Sequence, residues 1–427
     1  MSQLESFTQL ILALMLVVAS AHICGWLLQK MGQPKVVGEM LAGILLGPSL
    51  LGALAPTVQL AIFSPEVKNA LYTLSNIGLA FYMFLIGCEL DHTHCEQRAL
   101  SRAGWLSLSG VIPGIVFGGI AGYYLHGMLH LTHLTPAEFG FFLGAALSVT
   151  AFPTLARILE ETRLVHSTLG SLTLVAASID DALAWCLLAV VTIMARAGSW
   201  SDGLYPLLGG VVFVAFCYMV IRPAMRHLGA RISERGKIGS GELALIIVLL
   251  LGAMWFTDKV GIYSVFGSFV LGMAMPRQTG FQQAIQQQLH GMTTVFLLPM
   301  FFAYSGLNTQ LLQLFQLHLL IPFLIIFAVA NLVKYGSCTL AMRGMGFSWG
   351  ESSAVGGLFN ARGMMLLIFV NLGMANHLID MNIFSMLVIT ALLTTATAMP
   401  IFRASFLSKK KEARSVVFDD ENIPLGI

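Results

Sequence analysis

Val175-Ala-Ala-Ser-Ile-Asp180-Asp181-Ala-Leu-Ala-Trp185 sets two adjacent carboxylates near the middle of an apolar run over residues 166–195. A charged side chain at bilayer depth costs roughly 2.5–3.5 kcal/mol on insertion scales. Two of them side by side are hard to explain as structural filling. They are expected to face water, a cation or a fixed positive charge inside a helix bundle. Consecutive helical residues point about 100° apart, so the two carboxylates are not expected to share one partner.

The chain around this pair has the composition of a membrane protein. Of its 427 residues 57% are apolar and 10% charged, with a mean hydropathy of +0.81, whereas an ordinary soluble domain is about 25% charged. Apolar runs with short connections predict an all-α polytopic fold of thirteen spans: 7–29, 36–52, 69–89, 104–128, 137–160, 166–195, 203–226, 241–257, 261–276, 290–306, 315–340, 350–374 and 380–402. The first run has no basic flank before Lys30 and is too long for a signal-peptide core, so it is expected to stay as a helix. With the N-terminus outside, eighteen of the 23 Lys and Arg residues fall at cytoplasmic ends. Lys68, Arg196 and Lys259 fall at outer ends, and Lys334 and Arg362 remain at membrane depth. That bias supports both the odd span number and the orientation. The six cysteines show no CxxC and no Cys/His ligand spacing and read as small apolar residues. The glutamine-rich stretch 277–290 reads as an interfacial linker.

Two spans carry breaks. The fifth reads Ala146-Leu-Ser148-Val-Thr150-Ala-Phe-Pro153-Thr154, where Pro153 removes a backbone donor and is expected to free a carbonyl about one turn earlier, with Ser148, Thr150 and Thr154 around it. The twelfth reads Gly356-Gly357-Leu-Phe-Asn360-Ala-Arg362-Gly363. Arg362 there is expected to face the bundle, where it can cap carbonyls or hold a carboxylate. Spans seven apart run in opposite directions. Spans two to six and nine to thirteen therefore form two inverted five-helix repeats, each with its broken helix fourth. That is the pattern of secondary transporters, in which broken helices cross near the midplane and build the site. Lys334, on the third helix of the second repeat, is the favoured counter-charge for Asp180, which leaves Asp181 for a transported cation.

With these residues in view, the chain resembles the monovalent cation:proton antiporter-2 family from about residue 7 to 402. The matching stretches are Gly32-Gln-Pro-Lys-Val-Val-Gly-Glu39, Met83-Phe-Leu-Ile-Gly-Cys-Glu89-Leu-Asp91, Ser148 to Leu159, Asp180-Asp181, Leu298-Pro-Met-Phe-Phe-Ala-Tyr-Ser-Gly306, Lys334 and Asn360-Ala-Arg-Gly363. The resemblance implies a sodium/proton antiporter fold, a homodimer and an elevator motion. The dimerisation part would comprise 1–103 and 241–306, and the ion-transport core 104–195 and 315–402. A linker helix at 203–226 and a cytoplasmic tail at 403–427 complete the division. It also implies ion binding by Asp181, electrogenic exchange from an Asp-Asp pair, and no organic cofactor or nucleic-acid partner. Many members carry a Glu where this chain has Leu366, and the nucleotide-binding domain of the potassium-efflux branch is not expected here.

The expected chemistry is competition. Desolvation disfavours a carboxylate and a nearby lysine favours it, so a proton and Na⁺ or K⁺ contend for the same oxygens of Asp181. Ser148, Thr150 or freed carbonyls of the fifth span would complete the cation's shell, and a proton on Asp180 would release Lys334. An intramembrane aspartyl protease would need its two carboxyls on different helices, where they can converge, and adjacent residues do not. A channel-like or non-transporting sensor protein on the same scaffold is the competing reading. The lean architecture favours a prokaryotic inner membrane.

Overall fold

The structure, a computed structural model, describes residues 3–89, 97–129, 131, 134–161, 167–196 and 200–419; Asp91 and Cys95 lie outside them. Every described element is helical, and each of the thirteen expected spans coincides with helix. Among the described residues, however, ten helices are long and apolar enough to cross a membrane. The other three expected spans are built differently. The fifth is split into Pro136–Ser148 and Phe152–Glu161. The ninth is Ser264–Ala274, whose 11 residues reach only about 16 Å at 1.5 Å per residue. The tenth runs on without a break from the amphipathic helix Thr279–Met292, the expected linker, through a π turn Thr293–Leu297 into Leu298–Leu307. Hydropathy counts apolar residues and does not see a helix that ends half-way. A second π turn, Cys217–Ile221, precedes Arg222–Arg235. Pro223 and Pro299 each follow such a turn by two residues, where a proline ring would clash with the regular carbonyl ladder.

The helices pack as two sets. Gln3–Lys30, Lys35–Leu46 and Pro65–Glu89 associate with Ser264–Ala274 and Leu298–Leu307, and Ser240–Val260 packs on Ser264–Ala274. Gln97–Leu129, Pro136–Ser148 and Thr168–Arg196 associate with one another, and Leu317–Gly344 joins them through Gln97–Leu129. In a bilayer, close backbone approach replaces the hydrophobic drive between helices. In the first set a Cβ on Gly43 would lie 2.3 Å from the Ala303 carbonyl, and one on Gly272 would lie 2.3 Å from that of Phe84. In the second set Gly114, Gly118 and Gly122, one per turn on Gln97–Leu129, press against Ser148, Gly144 and Gly140 with virtual Cβ distances of 2.7–2.8 Å. The twelfth span is split into Trp349–Phe359 and Gly363–Ala375. Its apolar stretch is 94% buried, against 22% for the first helix, so it runs through the middle of the molecule.

Candidate functional site

Each split span is entered through the same device. Thr135 caps Pro136–Ser148, its hydroxyl accepting from the Glu138 N–H at 3.3 Å, while Glu138 Oε2 accepts from the Thr135 N–H at 2.8 Å. Ser348 and Glu351 repeat this box at the start of Trp349–Phe359. Capping boxes satisfy two orphan donors at a helix start, so the cost of breaking these spans falls on their inner ends.

Those ends satisfy each other. Pro136–Ser148 stops with Val149 extended, and the chain restarts at Phe152 with Pro153 as the second helical residue, where its missing N–H costs nothing. The span is thus interrupted, as a broken helix was expected to be. The Ala151 N–H donates to the Ala361 carbonyl and the Thr150 hydroxyl to the Phe359 carbonyl, both at 3.0 Å. In return Arg362 donates from one guanidinium nitrogen to the Leu147 carbonyl and from the other to the Ala330 carbonyl. Arg362 is 1% exposed and caps carbonyls, the first of its two expected roles. Asn360 ends Trp349–Phe359 and donates to the Asn331 side chain on Leu317–Gly344. The Gly363 N–H donates to the Thr395 hydroxyl at 3.0 Å. Gly363 has φ +29°, and a Cβ there would lie 2.8 Å from the Thr154 hydroxyl.

Beside this crossing lie the charges. Lys334 Nζ sits 2.8 Å from Asp180 Oδ2, with both side chains fully buried. The ammonium also donates to the Ser148 carbonyl. The last carbonyls of a helix carry its negative dipole end, and here Lys334 and Arg362 hold two of them. The Ser107 hydroxyl donates to Asp180 Oδ1 at 3.3 Å, so both oxygens of Asp180 are engaged. Asp181 contrasts with it: neither oxygen has a hydrogen-bond partner among the described residues, and the side chain is fully buried.

The structure therefore joins Asp180 to Lys334, and Thr150, Asn360 and Arg362 to the crossing, while leaving Asp181 alone. It does not hydrogen-bond Ser148 or Thr150 to Asp181. The Ser148 hydroxyl donates to the Ala145 carbonyl at 2.8 Å. Among the fifth-span carbonyls, the group expected to help ligate a cation, those of Leu147 and Ser148 accept from Arg362 and Lys334. Leu366, where a carboxylate was noted as missing, is fully buried.

Sequence reasoning overlooked three contributors. Ser107 completes the shell of Asp180. Gly110, one turn further along that helix, leaves room for the ammonium, since a Cβ there would lie 3.1 Å from Lys334 Cε and 3.2 Å from Nζ. Asn331 holds Asn360. The four-residue spacing of Gly110, Gly114, Gly118 and Gly122 was a readable signal of close helix packing; Ser107 and Asn331 carried none.

Two cavities of about 440 Å³ each lie between the first set of helices and Gly363–Ala375 with its following turn, and Tyr72 lines both. Tyr263 donates to the Asn76 side chain at 2.5 Å on the wall of the first. Asn371, on Gly363–Ala375, donates to Ser305 on Leu298–Leu307 at 2.9 Å and lines the second. Asp181 is not among the residues lining either.

This architecture has counterparts among known proteins. The structure of the sodium proton antiporter MjNhaP1 from Methanocaldococcus jannaschii superposes with a TM-score of 0.63, covering 94% of this chain and 97% of that one, at 15% sequence identity. The Na(+)/H(+) antiporter NhaS4 of Synechocystis is 36% identical over 394 residues, which are 92% of this chain and 96% of the relative. Cation/H(+) antiporter 17 of Arabidopsis thaliana is 32% identical over 93% of this chain, and K(+)/H(+) antiporter 1 of Saccharomyces cerevisiae 28% identical over 93%. Those matches take in only 48% and 47% of the plant and yeast proteins, so the chain spans about half their length. The profile of one transmembrane family matches residues 18–404, a range that holds the Asp180–Lys334 pair, both helix breaks and Asp181. On that match, and on a cyanobacterial relative aligned over nearly its whole length, the chain belongs to the sodium/hydrogen exchanger family of multi-pass membrane proteins.

Proposed function

We propose that this chain is a secondary antiporter that exchanges protons for a monovalent cation, Na⁺ or K⁺, with Asp181 as the carboxylate that takes either one. The observation that carries the reading is the contrast between neighbours. Both oxygens of Asp180 are engaged by Lys334 and Ser107, whereas Asp181 is equally buried and its oxygens have no hydrogen-bond partner among the described residues. A buried charge without a partner is too costly to keep as structure, so its oxygens are suited to an arriving ion. The names of the relatives, which cover Na⁺/H⁺, cation/H⁺ and K⁺/H⁺ exchange, agree with a monovalent cation and divide over which one.

The finer parts of the proposal follow from the same arrangement. Exchange is electrogenic, because a proton on Asp180 frees the Lys334 charge while a second proton occupies Asp181. Residues 1–103 and 241–306 form the dimerising part of a homodimer. Residues 104–195 and 315–402 form the core that carries the ion as an elevator. The separate packing of the two sets, and the cavities where the first set faces Gly363–Ala375, support that division. The N-terminus faces outward and the C-terminus the cytoplasm of a prokaryotic cell, as the distribution of Lys and Arg favours.

The test is dye-monitored proton flux in proteoliposomes offered Li⁺, Na⁺, K⁺ and Rb⁺ in turn, with the membrane potential clamped and then released. Saturable flux driven by at least one cation is expected. Discrete single-channel currents in a planar bilayer, without coupled proton movement, would contradict it.

A further inference from the structure

Trp185 follows Asp181 by four residues on Thr168–Arg196, which puts it one turn along on the same face. It is 2% exposed, and its indole Nε1 has no hydrogen-bond partner among the described residues. An indole N–H only donates and a carboxylate only accepts. Two buried and complementary groups thus stand unsatisfied beside each other. The i, i+4 spacing brings the indole and the Asp181 carboxylate onto one helix face, although the pair falls outside hydrogen-bond geometry.

The ring is gripped from the other side. It stacks on Phe269 with centroids 5.7 Å apart and planes at 23°, and lies tilted against Phe266 at 6.0 Å. Both phenylalanines belong to Ser264–Ala274, a member of the opposite set of helices. Trp185 is therefore a point where the aspartate helix meets the other set, and the stack limits where its N–H can aim.

We propose that Trp185 is a positioning residue for the exchange: a small rotation brings its N–H into a hydrogen bond with the Asp181 carboxylate when no cation is bound, and an arriving cation displaces it. This rests on reading Asp181 as the ion-binding carboxylate. Loss of the donor destabilises the empty state alone, so the cation then binds more tightly.

Two variants separate the N–H from the ring. Trp185→Phe keeps an aromatic ring against Phe269 and deletes the donor, and is expected to lower the KM for the transported cation about tenfold. Phe269→Leu keeps the donor and removes the stack, and is expected to change KM less. A readout independent of transport uses a chain in which Trp26, Trp105, Trp200, Trp255 and Trp349 are all phenylalanine, so that emission reports Trp185 alone. Adding Li⁺, Na⁺ or K⁺ should shift that emission to shorter wavelength, and Asp181→Asn in the same background should abolish the shift. If the five replacements prevent folding, 5-fluorotryptophan in the unaltered chain gives the same readout by ¹⁹F NMR, with the Trp185 resonance assigned by its loss in W185F. A signal insensitive to all three cations, a shift that survives Asp181→Asn, or an unchanged KM in W185F would each overturn the proposal. Absence of flux from the unaltered chain, with the Trp185 signal still responding to cation, would instead refute antiport and leave the positioning role standing.

Discussion

Lys334 Nζ lies 2.8 Å from Asp180 Oδ2 with neither side chain exposed, and the same ammonium donates to the Ser148 carbonyl at the end of a half-helix. One side chain thus ties the aspartate helix, the first interrupted span and its own helix together. The Coulomb attraction offsets the burial of two charges, and the helix dipole adds to it. A lysine removed from this place leaves Asp180 and an orphan carbonyl together.

Breaking that pair should therefore cost stability as well as transport. Lys334→Gln is expected to destabilise the protein by about 3–5 kcal/mol, the range for leaving one charge of a buried pair uncompensated. Asp180→Asn combined with Lys334→Gln should recover most of the loss. Thermal unfolding in detergent reads both, and a single variant as stable as the parent would show that the pair does not hold the helices.

The glycines of Gln97–Leu129 give a graded series. A Cβ on Gly114 meets the Ser148 backbone at 2.7 Å, which cannot move aside, and Gly114→Ala should cost about 1–3 kcal/mol. A Cβ on Gly110 meets Cys338 Sγ at 2.9 Å and the tip of Lys334, which can shift, so Gly110→Ala should disturb transport more than stability. Gly104 has nothing within 4 Å, and Gly104→Ala should stabilise by about 0.5–1 kcal/mol through the gain in helix propensity. Unfolding midpoints in any other order would contradict the packing described.

Arg362 should not tolerate a lysine. Its two terminal nitrogens bridge the Leu147 and Ala330 carbonyls, a span that a planar fork covers and a point charge does not. Arg362→Lys is expected to lower the unfolding temperature nearly as far as Arg362→Ala. Retention of full stability in the lysine variant would mean that charge alone suffices.

If Asp180 takes up a proton in each cycle and frees Lys334, exchange moves two protons per cation and responds to voltage. An inside-negative potential of 100 mV acts on one net charge with about 2.3 kcal/mol and should accelerate flux in proteoliposomes. Lys334→Gln should remove that response while Asp181 still exchanges. A response of unchanged size in the variant would refute the paired proton.

Much of this site was legible because its logic is local. The offset between consecutive helical residues separated the roles of Asp180 and Asp181, and the proline in one span with the arginine in the other marked both breaks. Thr135-Pro-Ala-Glu138 and Ser348-Trp-Gly-Glu351 were equally readable capping boxes at the start of each broken span and went unused. What stayed hidden depends on which helices touch. Ser107 and Asn331 are ordinary polar residues until folding sets them against Asp180 and Asn360. The choice of Leu147 and Ser148 carbonyls by Arg362 and Lys334, instead of by a cation, is likewise a property of the crossing. The thirteen-span reading placed one span at 261–276, where the helix is the 11-residue Ser264–Ala274, because hydropathy reports polarity and not where a helix stops.

The account turns on Asp181 being a buried carboxylate whose two oxygens have no hydrogen-bond partner among the described residues. Cation-driven proton flux in proteoliposomes bearing Asp181→Asn, beside the unaltered chain and Asp180→Asn, tests it most directly. Flux should vanish in Asp181→Asn for every alkali cation, with the unfolding temperature kept or raised because a neutral amide replaces an unpaired acid, while Asp180→Asn retains exchange with a weaker response to voltage. Near-normal flux in a folded Asp181→Asn protein would contradict the central claim.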